Sequence, residues 1–121
     1  MNRELVFRAW HTVNKVMFEH SNIPVLLKNA SDDNIWKYMQ WTGLQDIESI
    51  DIYEGDIVRL NVSSQYLKEG STAEVQYLPD YGGYAIVGAY SRNQHHELLT
   101  CDVACRCKVI GNIYENPYLL K

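Results

Sequence analysis

The chain has 121 residues and a mass of 14.0 kDa, and 46% of its residues are hydrophobic. This size fits one domain, or one small barrel with an appended subdomain, and excludes a second catalytic domain within these residues. The composition is too apolar and too aromatic for an intrinsically disordered chain. Eleven basic and fifteen acidic residues give a net charge of −4 without any dense basic run, so the electrostatic pattern of a nucleic-acid-binding protein is missing.

The cysteine content and the apolar runs favour a cytoplasmic location. Three cysteines, an odd number confined to residues 101–107, do not form the pattern of a secreted disulfide framework. The N-terminal residues lack the features of a signal peptide, and no apolar run approaches the roughly 20 residues that span a bilayer. We therefore expect a protein of a reducing cytoplasm that does not enter a membrane.

The first predicted element is a β-hairpin. From Leu5 the residues alternate between two faces, a polar break follows at Thr12 to Lys15, and apolar residues resume at Val16-Met17-Phe18. The next segment, Ile23 to Ser31, contains a proline and borders a polar cluster, which predicts a loop. The hydroxyl of Ser31 could cap the N-terminus of a helix.

A strand is predicted from Ile35 to Trp41, with one helical turn as the alternative. We favour the strand because Trp36 and Tyr38 suit a pleated surface and because the run is too short for a stable helix. The strand is expected to end at Thr42-Gly43.

A second strand-like run extends from Ile52 to Val62 after a polar link. Its alternation places Val58 and Leu60 on the same face as Val62. Gly55, within this run, indicates a bulge or a tight bend of the kind that small barrels use to turn corners.

The next part of the chain alternates between strands and turns. After a polar loop from Ser63 to Thr72, strands are predicted at Ala73 to Tyr77 and at Tyr84 to Tyr90. The residues between them, Pro79 to Gly83, are typical of a turn. A further polar loop is predicted from Ser91 to Glu97.

The last predicted strand has the most regular alternation in the chain. One of its faces would carry Cys101, Val103, Cys105, Cys107 and Val109. The strand is expected to stop at Gly111-Asn112, and the apolar tail from Ile113 to Leu120 is predicted to pack on the body or on a neighbouring subunit. Several short strands without a convincing amphipathic helix predict an all-β, barrel-like domain.

Four blocks of sequence occur in the order Phe7-Arg8-Ala9-Trp10, Gln40 to Asp46, Ile52 to Val58 and Val109 to Pro117. Together they resemble the YopX family of phage and prophage proteins, whose function is unknown. The motif residues of the two central blocks are Gln40, Thr42, Gly43, Leu44, Tyr53, Glu54, Gly55 and Asp56. The resemblance implies a small β-rich protein with an SH3-like barrel, encoded by temperate phages or prophages and self-associating.

The fold expected on this basis is all-β, a small SH3-like barrel with an N-terminal β-hairpin extension. The chain would form a single YopX-like domain over residues 1–121, which could be subdivided into an extension at 1–45 and a barrel at 46–121. One departure concerns the link from Asp46 to Asp51, where the family usually has an Asn-Gly turn and this chain has no glycine. We predict a longer loop here, because the positive φ of a two-residue turn is costly for β-branched isoleucine.

A zinc site is the sharpest chemical hypothesis. Imidazole and thiolate ligands that zinc binds tetrahedrally are offered by His95, His96, Cys101, Cys105 and Cys107. The spacing argues against this site, because three cysteines that alternate along one strand point in parallel and cannot easily reach one ion. We prefer the interpretation that they are small residues facing the core, and we predict no metal.

Three carboxylates near the central motif could bind a divalent cation or act as an acid/base pair, namely Asp51, Glu54 and Asp56. The favoured alternative is that Asp56 accepts backbone N–H bonds in a bulge while Glu54 lies in solvent. The sequence has no hydrolase, metalloprotease, P-loop or dinucleotide motif. We therefore expect neither catalytic residues nor a cofactor.

The aromatic content points to an interface. Tyrosine and tryptophan are enriched where proteins meet, and four tyrosines surround the turn at Pro79 to Gly83. The residues predicted to form an interface are Tyr81, Tyr84, Tyr90, Tyr114, Pro117, Tyr118, Leu119 and Leu120. The sequence thus favours a protein-interaction or self-assembling module, a homo-oligomer that could also bind a host or phage protein. The alternative is a nucleic-acid-binding SH3-like barrel that uses aromatic stacking, which the net charge disfavours.

Overall fold

The computed structural model of the protein describes residues 6–18, 35–63, 67–88 and 96–120. Within these ranges the chain is almost entirely strand and turn, with a four-residue α-helix and a short 3₁₀-helix, so the all-β prediction is confirmed. Two compact units are present, Met1–Trp41 and Thr42–Lys121. The SH3-like label and the subdivision at residue 45 stay predictions.

The first unit contains the predicted hairpin. Strand β1 (Phe7–His11) pairs antiparallel with β2 (Val16–Phe18). The turn between them is closed by a hydrogen bond from Lys15 N to His11 O at 2.8 Å. The other edge of β1 pairs with the first residues of β3 (Trp36–Gln45). The Trp36 ring contacts the rings of His11 and Phe18 edge-on, with centroids 4.5 and 5.3 Å apart, which fixes the two strands against β3.

The predicted strand at Ile35 to Trp41 is confirmed, but its predicted end was wrong. Strand β3 continues through Thr42 and Gly43 as far as Gln45. Gly43 has a φ of +86°, which glycine adopts without a Cβ clash, so the chain passes this point without leaving the strand. The predicted loop from Ile23 to Ser31, with its proposed cap, lies outside the described residues.

The described elements of the second unit are β4 (Asp51–Tyr53), β5 (Asp56–Leu60), β6 (Thr72–Leu78), β7 (Gly83–Gly88), β8 (His96–Leu98), α1 (Cys101–Ala104), β9 (Cys107–Asn112) and the 3₁₀-helix (Pro117–Leu120). Five of these described strands form one antiparallel sheet in the order β8-β7-β6-β5-β9. The core of this unit comprises Ile52, Val58, Leu60, Leu67, Ala73, Val75, Ile86, Leu99, Val103, Ala104 and Cys107. Burial of this apolar surface is the main stabilising term of the sheet.

Two details of the predicted strands differ from the structure. The predicted bend at Gly55, whose φ is +87°, is confirmed and divides the run from Ile52 to Val62 into β4 and β5. Val62, however, is exposed instead of sharing the buried face of Val58 and Leu60. The strand ends at Leu60, so alternation no longer governs the residues after it. Strand β8 begins at the end of the predicted polar loop from Ser91 to Glu97, because His96, Glu97 and Leu98 pair with β7 although the first two of them are polar.

The predicted strand from Cys101 was wrong over its first half. Residues 101–104 form α1, whose N-terminus is capped by Thr100, since the Thr100 hydroxyl oxygen accepts a hydrogen bond from Val103 N at 3.3 Å. The helix buries the adjacent residues Val103 and Ala104, whereas a strand would bury alternate ones. Strand β9 begins only at Cys107.

The apolar tail is ordered as the 3₁₀-helix, which lies against β6. Its start is fixed by the hydrogen bond from Leu119 N to Asn116 O at 3.1 Å. The prediction that the tail packs on the body is therefore confirmed for this contact. No helix in the described ranges is long and apolar enough to cross a membrane.

Candidate functional site

The two motif blocks Ile52 to Val58 and Val109 to Pro117 are far apart in sequence and meet at the turn Glu54-Gly55. Gly55 N donates a hydrogen bond to Val75 O at 2.8 Å, and Gly55 O accepts one from Ile113 N at 2.9 Å. Beside this turn, Asp56 pairs with Asn112 in the register of β5 and β9. The blocks therefore form one region, which we name the motif region.

Asp56 closes the turn from within. Its side chain is only 1% exposed, and its Oδ2 accepts a hydrogen bond from Tyr53 N at 2.7 Å. This geometry agrees with the interpretation that Asp56 holds the backbone. Glu54 is half-buried, whereas the sequence interpretation had placed it in solvent.

The acid/base hypothesis for this region gains no support from the geometry. Asp51 is exposed, and its Oδ1 accepts a hydrogen bond from Gln45 Nε2 at 3.1 Å, whereas Asp56 is directed at the Tyr53 amide. Among residues 6–18, 35–63, 67–88 and 96–120, no three His, Cys, Asp or Glu side chains come together as a metal-binding group. The two aspartates therefore have separate backbone or side-chain partners.

Asp46 anchors the loop between β3 and β4, a role that the sequence interpretation missed. Its Oδ1 accepts hydrogen bonds from Glu48 N at 2.8 Å and Ile50 N at 2.9 Å, and its Oδ2 accepts one from Val109 N at 2.8 Å. The side chain is 6% exposed. An aspartate at the end of a strand, just before a loop, is the local signal that could have indicated this anchor.

The loop itself confirms one prediction. Five residues, 46–50, separate β3 from β4, so the link is longer than a two-residue turn. Ser49, with a φ of +63°, adopts the left-handed conformation, and neither Ile47 nor Ile50 does. The loop thus avoids the strain that β-branched residues would suffer at positive φ.

The C-terminal block is organised by Asn112. Its Oδ1 accepts hydrogen bonds from Tyr114 N at 3.0 Å and Glu115 N at 2.8 Å, and its Nδ2 donates one to Glu115 Oε1 at 2.9 Å. Asn116 N donates to Asn112 O at 2.9 Å. A Cβ at Gly111 would lie 2.6 Å from the Asn116 Oδ1, so this close approach requires glycine.

The buried polar side chains share one role. Among the described residues the buried polar or charged ones are Thr42, Asp46, Asp56 and Asn112. The Thr42 hydroxyl donates to Ile52 O at 2.8 Å, and the other three accept backbone N–H groups as above. Burying such groups is favourable only when they are paired. The motif therefore determines how turns and loops of this unit are held.

Two glutamates and a tyrosine form an acidic cluster at the edge of the motif region. Burial raises the pKa of Glu74, the negative charge of Glu54 raises it further, and a side-chain hydrogen bond with Gln76 opposes both effects. Burial also raises the pKa of Tyr114, with additional contributions from Glu54 and Glu74. The charged form of Glu74 is thus unfavourable in the folded protein.

Glu74→Gln is expected to stabilise the protein at neutral pH. Because the folded-state pKa of Glu74 is raised, its contribution to stability is complete below its ordinary pKa of about 4.5 and is lost as the pH rises through the folded-state value. Thermal unfolding should therefore show a higher Tm for the variant at pH 7 and no difference at about pH 4 or below. The exposed Glu69 provides a control, Glu69→Gln; an equal gain from both substitutions would contradict the burial explanation.

Aromatic residues of the β6–β7 hairpin form a separate feature, which we name the aromatic hairpin (residues 77–84). Tyr77 and Tyr84 face each other across the strands with ring centroids 5.4 Å apart, and Tyr84 packs on the core. At the turn, the Tyr81 ring lies 5.1 Å from the His96 ring of β8. Tyr77 is 45% exposed and Tyr81 is 58% exposed.

The exposure of the cysteines differs from the one that the sequence interpretation expected. Cys101 and Cys105 are exposed, which corrects the expectation that all three cysteines face the core, and only Cys107 is buried. Burial, with the nearby charges of Glu97 and Asp46, raises the pKa of Cys107 to about 11. His96 lies on β8, and His95 is outside the described residues.

A comparison with protein-family models identifies the relationship. The model described as YopX protein matches residues 26–121, which is most of the chain. The chain belongs to the YopX family. Among solved structures it is similar to protein EF1440 from Enterococcus faecalis, with 27% identity and a TM-score of 0.67 over 99% of this chain and 100% of that one. No protein of curated function matches significantly.

The YopX motif residues therefore occupy definite places in the fold. Gln40 pairs with Phe7 in the first unit, Leu44 packs on the core of the second, and Tyr53 is buried beside Asp56.

The interface residues that the sequence predicted differ in their exposure to solvent. Tyr81, Pro117 and Tyr118 are exposed, Tyr84, Tyr114, Leu119 and Leu120 are half-buried, and Tyr90 is outside the described residues. Tyr77 belonged to the predicted tyrosine cluster around this turn but was left out of the predicted interface residues. His96 was missed, because the strand pairing and the ring contact that bring it to the hairpin are not local signals.

Proposed function

We propose that this YopX family protein is a non-enzymatic accessory protein of a phage or prophage that acts in the bacterial cytoplasm by binding proteins. Its first partner is a second copy of itself, and a host or phage protein is a further partner. The observation that carries this proposal is the aromatic hairpin, which presents two large and partly exposed rings, Tyr77 and Tyr81.

Ordered rings favour binding more than mobile ones. Tyr77 is held edge-on against Tyr84, and Tyr81 is held against His96, so each ring has a partner before any second protein arrives. Binding therefore loses less side-chain entropy than it would with mobile rings. A tyrosine supplies both a large apolar face and a hydroxyl, which is why such residues are frequent in protein interfaces.

The motif region supports the same proposal, because its polar side chains are used to hold the fold. Asp46, Asp56 and Asn112 have the polarity that a reaction would use, but they are buried and accept hydrogen bonds from the backbone. The family motif is thus explained by folding. Surface contacts are then the features that carry function, and the aromatic hairpin is the most distinctive of them.

The C-terminal 3₁₀-helix is the second surface to consider. Tyr118 is 64% exposed, and its hydroxyl oxygen lies 3.3 Å from Asn116 Nδ2. No second aromatic ring of the described residues is paired with Tyr118 in the way that His96 is paired with Tyr81. This difference favours the hairpin over the tail as the interface.

Tyr81→Ser is expected to weaken self-association by at least about tenfold in Kd, because an exposed aromatic anchor contributes about 2 kcal/mol to an interface. Sedimentation velocity over a range of protein concentrations measures this change. Tyr118→Ser is the matched control, since it removes a similarly exposed tyrosine from another surface. A monomeric wild-type protein at all concentrations, or equal association of wild type and Tyr81→Ser, would contradict the proposal.

The same measurement distinguishes the nucleic-acid alternative. A complex held by phosphate contacts weakens steeply as salt is added, whereas an interface of tyrosines does not. The sedimentation series is therefore repeated at low and high salt, before and after nuclease treatment. Assemblies that disappear with nuclease or salt would favour nucleic-acid binding over the protein interface.

A further inference from the structure

Helix α1 and its C-cap residue Cys105 place two thiols on one helical turn. Cys105 N donates a hydrogen bond to Cys101 O at 3.2 Å, so the two residues stand in the i, i+4 relation. Side chains with this spacing lie on one helix face with Cβ atoms about 5–6 Å apart. Both cysteines are exposed. Thiols at this spacing can approach the same ion.

The turn that carries the thiols is firmly held. Thr100 caps its N-terminus, and Val103 and Ala104 anchor its opposite side in the core. The Cys105 Sγ donates a hydrogen bond to Asp102 O at 3.0 Å, which keeps this sulfur against the same turn. The turn therefore holds the two backbone positions and the Cys105 sulfur in a fixed arrangement.

We propose that Cys101 and Cys105 form a two-thiolate site for Cu(I). Thiolates are soft ligands and select soft ions such as Cu(I). Zinc requires about four ligands, but the described residues provide no group of three or more His, Cys, Asp or Glu for a metal. Cu(I), a closed-shell monovalent ion, is satisfied by two thiolates in a near-linear arrangement, so this pair suffices.

The distances and charges suit this arrangement. Two metal–sulfur bonds of about 2.3 Å each, the length of a zinc–thiolate bond, bring the sulfurs about 4.6 Å apart, within reach of Cβ atoms one turn apart. Binding displaces one proton from each thiol, so Cu⁺ and two thiols give an anionic bis-thiolate complex and two protons. Arg106, two residues beyond the helix, forms an exposed ion pair with Asp102 at 3.4 Å, so these two side-chain charges largely offset one another beside the thiols.

Cys107 is excluded from the site by its position. It is fully buried, and its Sγ donates a hydrogen bond to Val103 O at 3.3 Å. The third cysteine is thus a core residue, and the other two form the pair. The prediction that cysteines in this segment are core residues holds for Cys107 alone.

The test uses the full chain, reduced and without oxygen, titrated with Cu(I) in competition with the chromogenic chelator bicinchoninate. We expect one Cu(I) per chain, a thiolate-to-copper absorbance band in the ultraviolet, and release of two protons. Cys101→Ser and Cys105→Ser should each lower the affinity more than about a hundredfold, because even changes beyond the direct ligands cost 10- to 100-fold. Both positions are exposed, so the variants should fold.

Asp102→Asn serves as the matched control, since it removes the carboxylate between the cysteines and leaves both thiols in place. It should bind Cu(I) as the wild type does. Retained affinity in either serine variant, no binding above that of free thiols at equal concentration, or a preference for Zn(II) in direct competition would overturn the proposal.

Discussion

Asp46→Ala is expected to lower the free energy of unfolding by about 3 kcal/mol, because it removes a charged acceptor from several backbone N–H groups at once. Glu48 N and Ile50 N in the loop, and Val109 N on β9, would all lose the Asp46 oxygen that accepts their hydrogen bond. The side chain is almost completely buried, so water cannot replace it without opening the loop. The loop and the edge of β9 should loosen together.

Urea denaturation measures this effect as a lower midpoint at unchanged m-value. Asp46→Asn is the informative intermediate, because its amide oxygen can accept from one side while its NH₂ group cannot accept from the other. Asp51→Ala is the control, since Asp51 is exposed and should change stability by no more than about 0.5 kcal/mol. Equal stability of Asp46→Ala and Asp51→Ala would contradict the anchoring role.

Asp56→Ala is expected to cost about 2 kcal/mol, the second largest effect. The substitution leaves Tyr53 N without the acceptor that lies 2.7 Å away, in a place from which solvent is excluded. The bend between β4 and β5 would lose the contact that closes it. Because the turn also receives the hydrogen bond from Ile113 N, the C-terminal block should become more susceptible to proteolysis.

Thermal unfolding and limited proteolysis of Asp56→Ala test this expectation. Asp56→Asn keeps an oxygen at almost the same place and should lose less than half as much stability. Glu54→Ala changes the neighbouring residue of the same turn and provides the control, since Glu54 is only half-buried. An Asp56→Ala variant with unchanged stability but altered partner binding would contradict the structural role and favour a functional one.

Local alternation was sufficient to predict most of the strands. The hairpin of β1 and β2, the strand β3 and the pair β6 and β7 all follow period-two patterns bounded by turn residues. The absence of glycine between Asp46 and Asp51 was sufficient to predict a loop of more than two residues. Helix α1 was missed, because four residues are too few to distinguish a helical from an alternating pattern.

In the candidate site, too, some roles were predicted from the sequence and others were not. The role of Asp56 was anticipated, since an aspartate beside a glycine bend commonly accepts nearby backbone N–H groups and its partner Tyr53 is three residues away. The roles of Asn112 in its loop and of Thr42 at Ile52 were not anticipated. Similarly, the exposure of Cys101 and Cys105 followed only once the helix was known.

The sequence by itself determined the all-β class, the N-terminal hairpin, the family and the positions of the tight bends, because these depend on the preferences of neighbouring residues. The tertiary structure decided which polar residues are buried, which aromatic rings meet and which cysteines face solvent. The hydrogen bond from Val109 N to Asp46 Oδ2 joins residues 63 positions apart. Closing so long a loop is unfavourable in entropy, and burial of the common core offsets it, so no local pattern encodes such a contact.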